Sequence, residues 1–154
     1  MNPNLTIRPA TIDDVPRVVQ MLADDFLGER RERFEDPLPE PYLKMFREIE
    51  DDPNNELIVA ESGGEIVGTF QLTYTPSLSF QGSKRCTVES VRVDTKFRGQ
   101  GVGREMMLWA IKRARKKRCV SMQLTTHSER KDAHRFYEQL GFKTTHLGMK
   151  LMLK

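Results

Sequence analysis

The chain has 154 residues, a net charge of +3, 38% hydrophobic residues and 31% charged residues. This length suits one compact domain over residues 1–154, with a core that needs no disulfide or metal to stabilise it. No apolar run approaches the roughly 20 residues that cross a bilayer, and Met1–Asn4 lacks the features of a signal peptide, so neither a membrane partner nor secretion is expected. Cys86 and Cys119 stand far apart without zinc-like spacing, which favours buried free thiols in the cytoplasm and no metal.

The N-terminal third predicts one strand and two helices. Leu5–Ala10 is typical of a strand, and Thr11 with Asp14 resembles a capping box ahead of a helix. The apolar face of that helix consists of Val15, Val18, Val19, Leu22 and Phe26. A second helix, which ends near Asp52, has an apolar face of Tyr42, Met45, Phe46 and Ile49.

The middle of the chain predicts strands over 57–60 and 66–74, joined by a hairpin at Gly63-Gly64. A polar loop over 76–83 leads to a further strand over 85–93. Beyond it we expect a helix that turns Met106, Met107 and Trp109 toward the core, and a strand over 119–125. The tail from Phe142 to Leu153 is expected to form two final strands, which gives the order βααβββαβαββ.

The most informative stretch is a glycine-rich turn between a strand and a helix. Arg98-Gly99-Gln100-Gly101-Val102-Gly103 follows the strand that contains Val91 and Val93 and opens a helix-like run over 104–118. The first backbone N–H groups of a helix lack intrahelical acceptors, and the helix dipole adds partial positive charge there, so the turn is suited to phosphate. A P-loop is excluded because Gly103 is followed by Arg104 and Glu105 rather than by Lys and Ser or Thr. The dinucleotide fingerprint G-x-G-x-x-G is excluded because the three glycines are evenly spaced.

In Arg98, Gly101 and Gly103 the turn resembles the Arg/Gln-x-x-Gly-x-Gly/Ala acetyl-CoA signature of the GCN5-related N-acetyltransferases (GNAT). The segment 133–142 resembles the A-x-x-F-Y-x-x-x-G-F segment of the same superfamily, and 132–137 is also similar to aminoalkylphosphonate N-acetyltransferases. The resemblance covers most of the chain. It implies an α/β (mixed α+β) fold with a twisted, mostly antiparallel sheet, a parallel central strand pair and about four flanking helices.

The resemblance also implies acetyl transfer from acetyl-CoA to a primary amine of a small molecule, by direct attack in a ternary complex. It makes Tyr137 the general acid near the thioester sulfur, the alternative being an aromatic that packs on the sheet. Main-chain groups at Val91 and Val93 would hold the pantetheine arm and the thioester carbonyl. The pyrophosphate would bind Arg98, Gly99, Gln100, Gly101, Val102, Gly103 and Arg104. Arg130 stands where the family often has asparagine, and an arginine there could reach a phosphate.

Strand alternation places Glu89 on the same face as Val91 and Val93, which makes it a candidate general base. The alternative for Glu89 is a salt bridge with a basic neighbour. Whether Glu89, a histidine or a water chain is the base stays open. His127 and His146 could contribute to the acceptor side, whereas His134 is expected on the surface of its helix.

Charge is unevenly distributed: Asp24 to Glu56 carries a balance of −7, and Lys84 to Arg118 carries +9. We therefore expect a cationic acceptor amine, whereas the phosphonate-enzyme-like segment favours an anionic one. The basic run 112–118 is typical of a solvated helix end, and without interleaved aromatics nucleic-acid binding is disfavoured. The alternatives are a protein or peptide N-acetyltransferase and a non-catalytic acyl-CoA-binding or nucleic-acid-associated module; homodimerisation and use of a longer acyl-CoA stay open.

Overall fold

The computed structural model describes residues 4–154. Met1–Pro3, which entered the argument about a signal peptide, lie outside the described residues. The strands are β1 (Leu5–Pro9), β2 (Asn55–Ser62), β3 (Glu65–Ser77), β4 (Ser83–Val93) and β5 (Ser121–Leu124). The helices are α1 (Val15–Ala23), α2 (Gly28–Arg31), α3 (Glu40–Asp51), the short turn α4 (Ser79–Gly82), α5 (Val102–Lys116) and α6 (Lys131–Gln139). None of the helices in this part of the chain is long and apolar enough to span a membrane.

The five strands form one sheet in the order β1-β2-β3-β4-β5, in which only β4 and β5 run parallel. α1 and α3 pack on one face, against Leu57 and Val59 of β2. α5 packs on the other face, where Met106 and Met107 are fully buried and Trp109 meets Phe70 edge-on at 6.0 Å. The mixed, mostly antiparallel fold and the core role of these α5 side chains are confirmed.

Two local signals in the first half of the chain are confirmed, whereas the apolar face predicted for the second helix is only partly correct because Met45 is 46% exposed. The backbone N–H of Thr11 donates to the Asp14 carboxylate at 2.8 Å, which is the capping box at the start of α1. Gly63 and Gly64 have φ of +59° and +79°, as a tight hairpin between antiparallel strands requires. α1 ends at Ala23, however, so the prediction that Phe26 lies on its apolar face is wrong; Phe26 is 56% exposed.

The predicted polar loop over 76–83 is only partly correct. β3 continues to Ser77, and the tip of the hairpin exposes two apolar side chains, Leu78 and Phe80. The cysteines are free thiols as predicted, Cys86 buried and Cys119 half-buried. Burial raises the pKa of the Cys86 thiol to about 12, so it stays protonated and unreactive at neutral pH.

A β-bulge in β4 overturns the predicted face of Glu89. Gln71 of β3 pairs with Glu89, and Thr69 pairs with Arg92, so one extra residue is inserted between these pairs, where Ser90 has φ of +55°. Simple alternation is broken at this point. Glu89 and Arg92 therefore share the face on which α1 and α3 pack.

Beyond the bulge, Val91 and Val93 turn to the other face and pack against the α5 side of the core. The expectation that Glu89, Val91 and Val93 share a face is wrong. The inserted residue shifts the alternation by one position, so that Val91 and Val93 point to the face opposite Glu89. β4 consequently presents apolar residues to α5 and charged residues to α1.

The two predicted C-terminal strands are also absent from the described residues, since 143–154 contains neither helix nor strand. The segment does alternate apolar and polar residues as a strand would. A strand also needs a neighbouring edge for its hydrogen bonds, and the structure places no strand beside this segment. The parallel pair of β4 and β5 thus lies at the edge of the sheet rather than at its centre.

Candidate active site

The glycine-rich turn is shaped as an anion-binding helix start. Gly99 and Gly101 have φ of +74° and +84°, a region that glycine adopts without strain, and Gly101 is the N-cap of α5. The first intrahelical bond runs from the Glu105 N–H to the Gly101 carbonyl at 3.0 Å. The N–H groups of residues 102–104 therefore have no carbonyl acceptor within the helix. They point outward, where they can donate hydrogen bonds to an anion.

Two side chains of the turn stabilise it through hydrogen bonds to nearby backbone carbonyls. Arg98 Nε donates to the Val93 carbonyl at 3.1 Å, and Gln100 Nε2 donates to the Lys96 carbonyl at 2.9 Å. Arg104 is exposed at the first turn of α5. The backbone groups rather than these side chains carry most of the capacity for phosphate.

Gly103 brings the turn, the end of β4 and α6 into contact. A Cβ at this position would lie 3.5 Å from both Val93 Cγ2 and Phe136 Cζ. The three predicted motifs, which are separate in the sequence, therefore meet at one place.

β4 and β5 diverge next to this contact. Their parallel pairing ends at Val88 and Leu124, whereas β4 continues for five more residues to Val93. On the side that faces β5, residues 89–93 of β4 therefore have no neighbouring strand. Arginine side chains occupy two of the carbonyls there: Arg92 Nη1 donates to Val91 at 2.9 Å, and Arg98 Nε donates to Val93. A gap of this kind can accept an extended ligand whose amides pair with the strand.

Tyr137 lies on α6, partly buried and in edge-on contact with Phe136 at 5.0 Å and Phe142 at 5.8 Å. Burial raises the pKa of its phenol above the ordinary value, and the positive charges of Arg92 and Arg130 act in the opposite direction. The phenol is thus protonated at neutral pH and can donate a proton. Within residues 4–154, no group is hydrogen-bonded to its hydroxyl.

A charged cluster that sequence reasoning missed lies beside Tyr137. Asp25 follows α1, and its side chain is only 9% exposed. It accepts a hydrogen bond from Arg130 Nη2 at 2.7 Å, and Arg92 Nε approaches it at 3.2 Å. Burial alone would raise the pKa of Asp25, but Arg130, the N–H of Gly28 and the charge of Arg92 together lower it to about 2.

The cluster of Asp25, Arg92 and Arg130 carries a net positive charge, because two guanidinium groups share one carboxylate. Arg92 Nε is buried, and its N–H has no hydrogen-bond acceptor among the described residues although the carboxylate is within ion-pair distance. Arg130 also stacks over Phe26 at 5.7 Å. The arrangement offers donors to an incoming anion. Of these three residues, the sequence alone marks only Arg130, as an arginine that could reach a phosphate.

Glu89 is exposed, at the first β4 position beyond the paired region. Among residues 4–154, its carboxylate takes part in no hydrogen bond or ion pair, so the predicted salt bridge is not formed there. All three histidines are exposed. His127 Nδ1 accepts from the Glu129 N–H at 3.3 Å in the connection to α6, and His146 Nδ1 is hydrogen-bonded to Thr145 Oγ1 at 2.6 Å.

A separate, open cleft of about 800 Å³ lies between α1, the β2–β3 hairpin and the segment after β4. It contains an ion pair between Arg17 and Asp94 and none of the predicted site residues. The described part of the chain contains no cluster of His, Cys, Asp or Glu that could hold a metal ion.

Comparison with known proteins identifies the family. The sequence profile described as "Acetyltransferase (GNAT) family" matches residues 18–142. An aminoalkylphosphonate N-acetyltransferase of Salmonella typhimurium is 33% identical over 95 residues, which are 62% of this chain and 61% of that protein's length.

Two solved structures share the whole fold. A protein of Bacillus halodurans C-125 described as a transcriptional regulator is 54% identical, with a TM-score of 0.94 over 97% of this chain and 99% of that one. A putative acetyltransferase of Agrobacterium tumefaciens is 23% identical, with a TM-score of 0.84 over 96% and 99% of the two chains.

Proposed function

Since this chain belongs to the GNAT family of acetyl-CoA-dependent N-acetyltransferases, we propose that it acetylates the primary amine of a small molecule that also carries an anionic group. The observation that carries the proposal is the joining of three elements: the anion-binding turn, the gap between β4 and β5, and the Arg92–Arg130 pair beside Tyr137. In the ternary complex, the turn corresponds to the pyrophosphate of acetyl-CoA, the gap to its pantetheine arm and thioester, and the arginine pair to the anionic group of the acceptor.

The cofactor occupies the α5 side of this arrangement. Its pyrophosphate accepts hydrogen bonds from the N–H groups at the start of α5, within the stretch 98–104. Its pantetheine amides pair with the main chain of β4 around Val91 and Val93, where β4 has no neighbouring strand. The thioester then lies in the gap, between the two strands and close to α6.

Transfer is a direct attack without an acyl-enzyme. Glu89 accepts a proton from the acceptor ammonium, directly or through water, and the neutral nitrogen attacks the thioester carbonyl carbon. The C–S bond breaks as the tetrahedral intermediate collapses to the amide. Tyr137 donates its phenolic proton to the departing sulfur, so that free CoA leaves as a thiol. The second proton that the attacking nitrogen loses on becoming an amide passes through water to the Tyr137 phenolate, which restores the phenol. The exposed, unpaired carboxylate of Glu89 and the protonated phenol of Tyr137 suit these roles.

The acceptor lies on the α1 side, where the bulge turns Glu89 and Arg92 to the same face. Its amine is bound near Glu89 and its anionic group near Arg92 and Arg130, whose shared partner Asp25 leaves one positive charge in excess. The aminoalkylphosphonate activity in the name of the Salmonella relative agrees with an acceptor of this kind. We therefore assign Arg130 to the acceptor rather than to a cofactor phosphate.

The cationic acceptor expected from the charge distribution is the rival. Two carboxylates of the acidic segment pair with arginines from outside it, which the balance of −7 does not count: Glu56 with Arg113, and Asp25 with Arg92 and Arg130. These pairs weaken the attraction that the formal charge of the segment suggests.

The test is acetyl-CoA consumption, followed as free CoA, with an aminoalkylphosphonate, an aminosugar, spermidine and a lysine-containing peptide at two salt concentrations. The proposal expects the phosphonate to give the highest kcat/KM. Spermidine as the best acceptor, with an advantage that shrinks as salt screens exposed charges, would support the cationic alternative. The peptide as the best acceptor would make the chain a protein acetyltransferase.

A nucleic-acid-associated role is a second candidate, because the 54% identical relative is described as a transcriptional regulator. In the basic run 112–118, Arg113 is bound to Glu56 and Lys117 lies over the Tyr74 ring at 5.3 Å. The remaining basic side chains are exposed. Salt-dependent retention on duplex DNA, without turnover of acetyl-CoA with any amine, is the result this candidate requires.

A further inference from the structure

Part of the sheet face on which α1 and α3 pack is open to solvent and polar. Strand pairing places four residues in a row across this face, one on each strand from β2 to β5: Asn55, Thr73, Thr87 and Gln123. The first three are half-buried, and Gln123 at the β5 end is exposed. Because solvent reaches this row, its polar side chains are available to a ligand.

The polar side chains hold one another in place. Asn55 Oδ1 accepts hydrogen bonds from Thr73 Oγ1 at 2.9 Å and from Gln71 Nε2 at 3.2 Å. Thr87 Oγ1 accepts one from Gln123 Nε2 at 3.2 Å. We call Gln71, Thr73, Thr87 and Gln123 the polar platform. Its members are thus oriented before any ligand arrives.

The platform offers both donors and acceptors, and its four side chains carry no charge. Among residues 4–154, the bonds above leave the Thr87 hydroxyl with an O–H to donate, and they leave each glutamine with a carbonyl oxygen and an N–H. A phosphate or carboxylate only accepts hydrogen bonds and an ammonium only donates them, whereas a hydroxyl does both. The platform therefore suits hydroxyl groups better than a charged group.

The platform adjoins the acceptor side of the candidate site. Gln71 pairs directly with Glu89, and Thr87 precedes Glu89 by two positions on the same face, about 7 Å along the strand. Arg92 lies in the opposite direction from Glu89, beyond the bulge. An amine at Glu89 therefore has the arginine pair on one side and the platform on the other.

We propose that the acceptor carries hydroxyl groups on the part of its chain that points away from its anionic group, and that the polar platform binds them. The inference rests on the proposed function, since it takes the amine to lie at Glu89. The acceptor is then an amine that lies between an anionic end and a hydroxylated end. A plain alkyl chain would displace water from Gln71, Thr87 and Gln123 without replacing its hydrogen bonds, which weakens binding.

Two acceptors that differ only in hydroxyl groups test the platform. One is a four-carbon aminoalkylphosphonate with the amine beside the phosphonate, and the other has hydroxyls on its two terminal carbons. Release of free CoA by the wild type should give the dihydroxy compound a kcat/KM roughly tenfold higher, the worth of one or two net hydrogen bonds.

Substitutions of Thr87 then locate the effect. Thr87→Val keeps the size and the strand preference but removes the hydroxyl, so the ratio of the two kcat/KM values should fall to about twofold. Thr87→Ser keeps the hydroxyl and should retain the ratio. The control Thr6→Val, at an exposed threonine of β1 on the far edge of the sheet, should also retain it.

The outcomes separate the platform from the proposed function. Equal kcat/KM values for the two acceptors in the wild type would overturn the platform and leave the proposed function standing. So would a ratio that Thr87→Val leaves at its wild-type value. Turnover of neither acceptor would contradict the proposed function instead, and a binding measurement then decides the platform.

NMR of the full chain in the presence of CoA is that measurement, with compounds that lack the amine. The side-chain amide signals of Gln71 and Gln123 should shift on addition of the dihydroxy phosphonate and stay in place with the plain alkylphosphonate. Equal shifts, or none, would overturn the proposal. So would signals that change with protein concentration and with neither compound, which would mean that a second copy covers the platform.

Discussion

The two sides of the candidate site use different chemical groups: main-chain groups on one side and side chains on the other. On the α5 side, recognition uses main-chain groups of one contiguous stretch, 98–104, with glycines at φ values that other residues avoid. On the α1 side it uses side chains drawn together from Asp25, Arg92 and Arg130, of which the first and last are 105 positions apart. Backbone recognition leaves a motif in the sequence, and side-chain recognition across the fold leaves none.

β4 joins the two sides because its bulge at Ser90 assigns its residues to opposite faces. Val91 and Val93 lie on the face of the proposed cofactor side, and Glu89 and Arg92 on the face of the proposed acceptor side. Substitutions on the two sides should therefore separate kinetically, with cofactor binding and acceptor binding changing independently.

The largest effect is expected where the two sides meet, at Tyr137. Tyr137→Phe keeps the ring and removes the proton donor, so kcat should fall by roughly 10²–10⁴-fold, while KM for both substrates barely moves. Steady-state release of free CoA measures it. The matched control is Tyr42→Phe, which removes the phenol of an α3 residue that donates a hydrogen bond to Glu32. A kcat within about threefold of the wild type, far below the worth of a positioned acid, would make Tyr137 structural.

The acceptor side is tested next at Glu89. Glu89→Gln removes the proposed base without changing its size, so kcat/KM should fall about 10²-fold at pH 7, the lower end for general base catalysis. The loss should shrink at high pH, where the free amine no longer needs a base. Glu65→Gln, which changes an exposed carboxylate at the start of β3 in the same way, is the control. A uniform loss across the pH range would argue against proton transfer by Glu89.

On the cofactor side, Gly101→Val should weaken acetyl-CoA binding by roughly 100-fold, equivalent to one or two hydrogen bonds to a charged phosphate. The branched side chain strains the φ of +84° and displaces the N–H groups. Isothermal titration calorimetry measures the affinity. Gly64→Val imposes similar strain at φ of +79° in a remote hairpin and should leave the affinity unchanged. Equal losses in both variants would show that general destabilisation, not the turn, is responsible.

The Asp25 cluster should make stability depend on pH. The pKa of Asp25 is lowered from 3.8 to about 2 in the folded chain, so its contribution is complete above about pH 4 and is lost as the pH falls toward 2. Urea unfolding at pH 6 should show Asp25→Asn less stable than the wild type by about 2 kcal/mol, with a smaller difference at pH 3. Asp24→Asn, at the exposed neighbouring position, should stay within about 0.5 kcal/mol at both pH values. A pH-independent deficit would indicate lost packing instead.

Much of the fold could be predicted because its signals are local. The capping box at Thr11, the Gly63-Gly64 hairpin and the apolar face of α5 each depend on residues a few positions apart. The glycine turn and the segment around Tyr137 could be placed for the same reason.

The remaining errors share a physical cause, which is dependence on distant partners. A bulge at Ser90 has no glycine to announce it, and it appears only when β4 is paired with β3. The ion pair of Asp25 and Arg130 exists only after α1 and α6 are brought together. The tail has the pattern of a strand, but a strand forms only beside another strand, and none of the described strands pairs with it.

The most direct test of the division between the two sides is a reciprocal pair of substitutions, Arg130→Gln and Arg104→Gln, each measured with an aminoalkylphosphonate acceptor. The account predicts that Arg130→Gln raises KM for the acceptor roughly tenfold and leaves KM for acetyl-CoA within twofold, consistent with one lost charged hydrogen bond. Arg104→Gln should do the reverse. If Arg130→Gln instead raises KM for acetyl-CoA and spares the acceptor, Arg130 binds a cofactor phosphate and the proposed acceptor site is wrong.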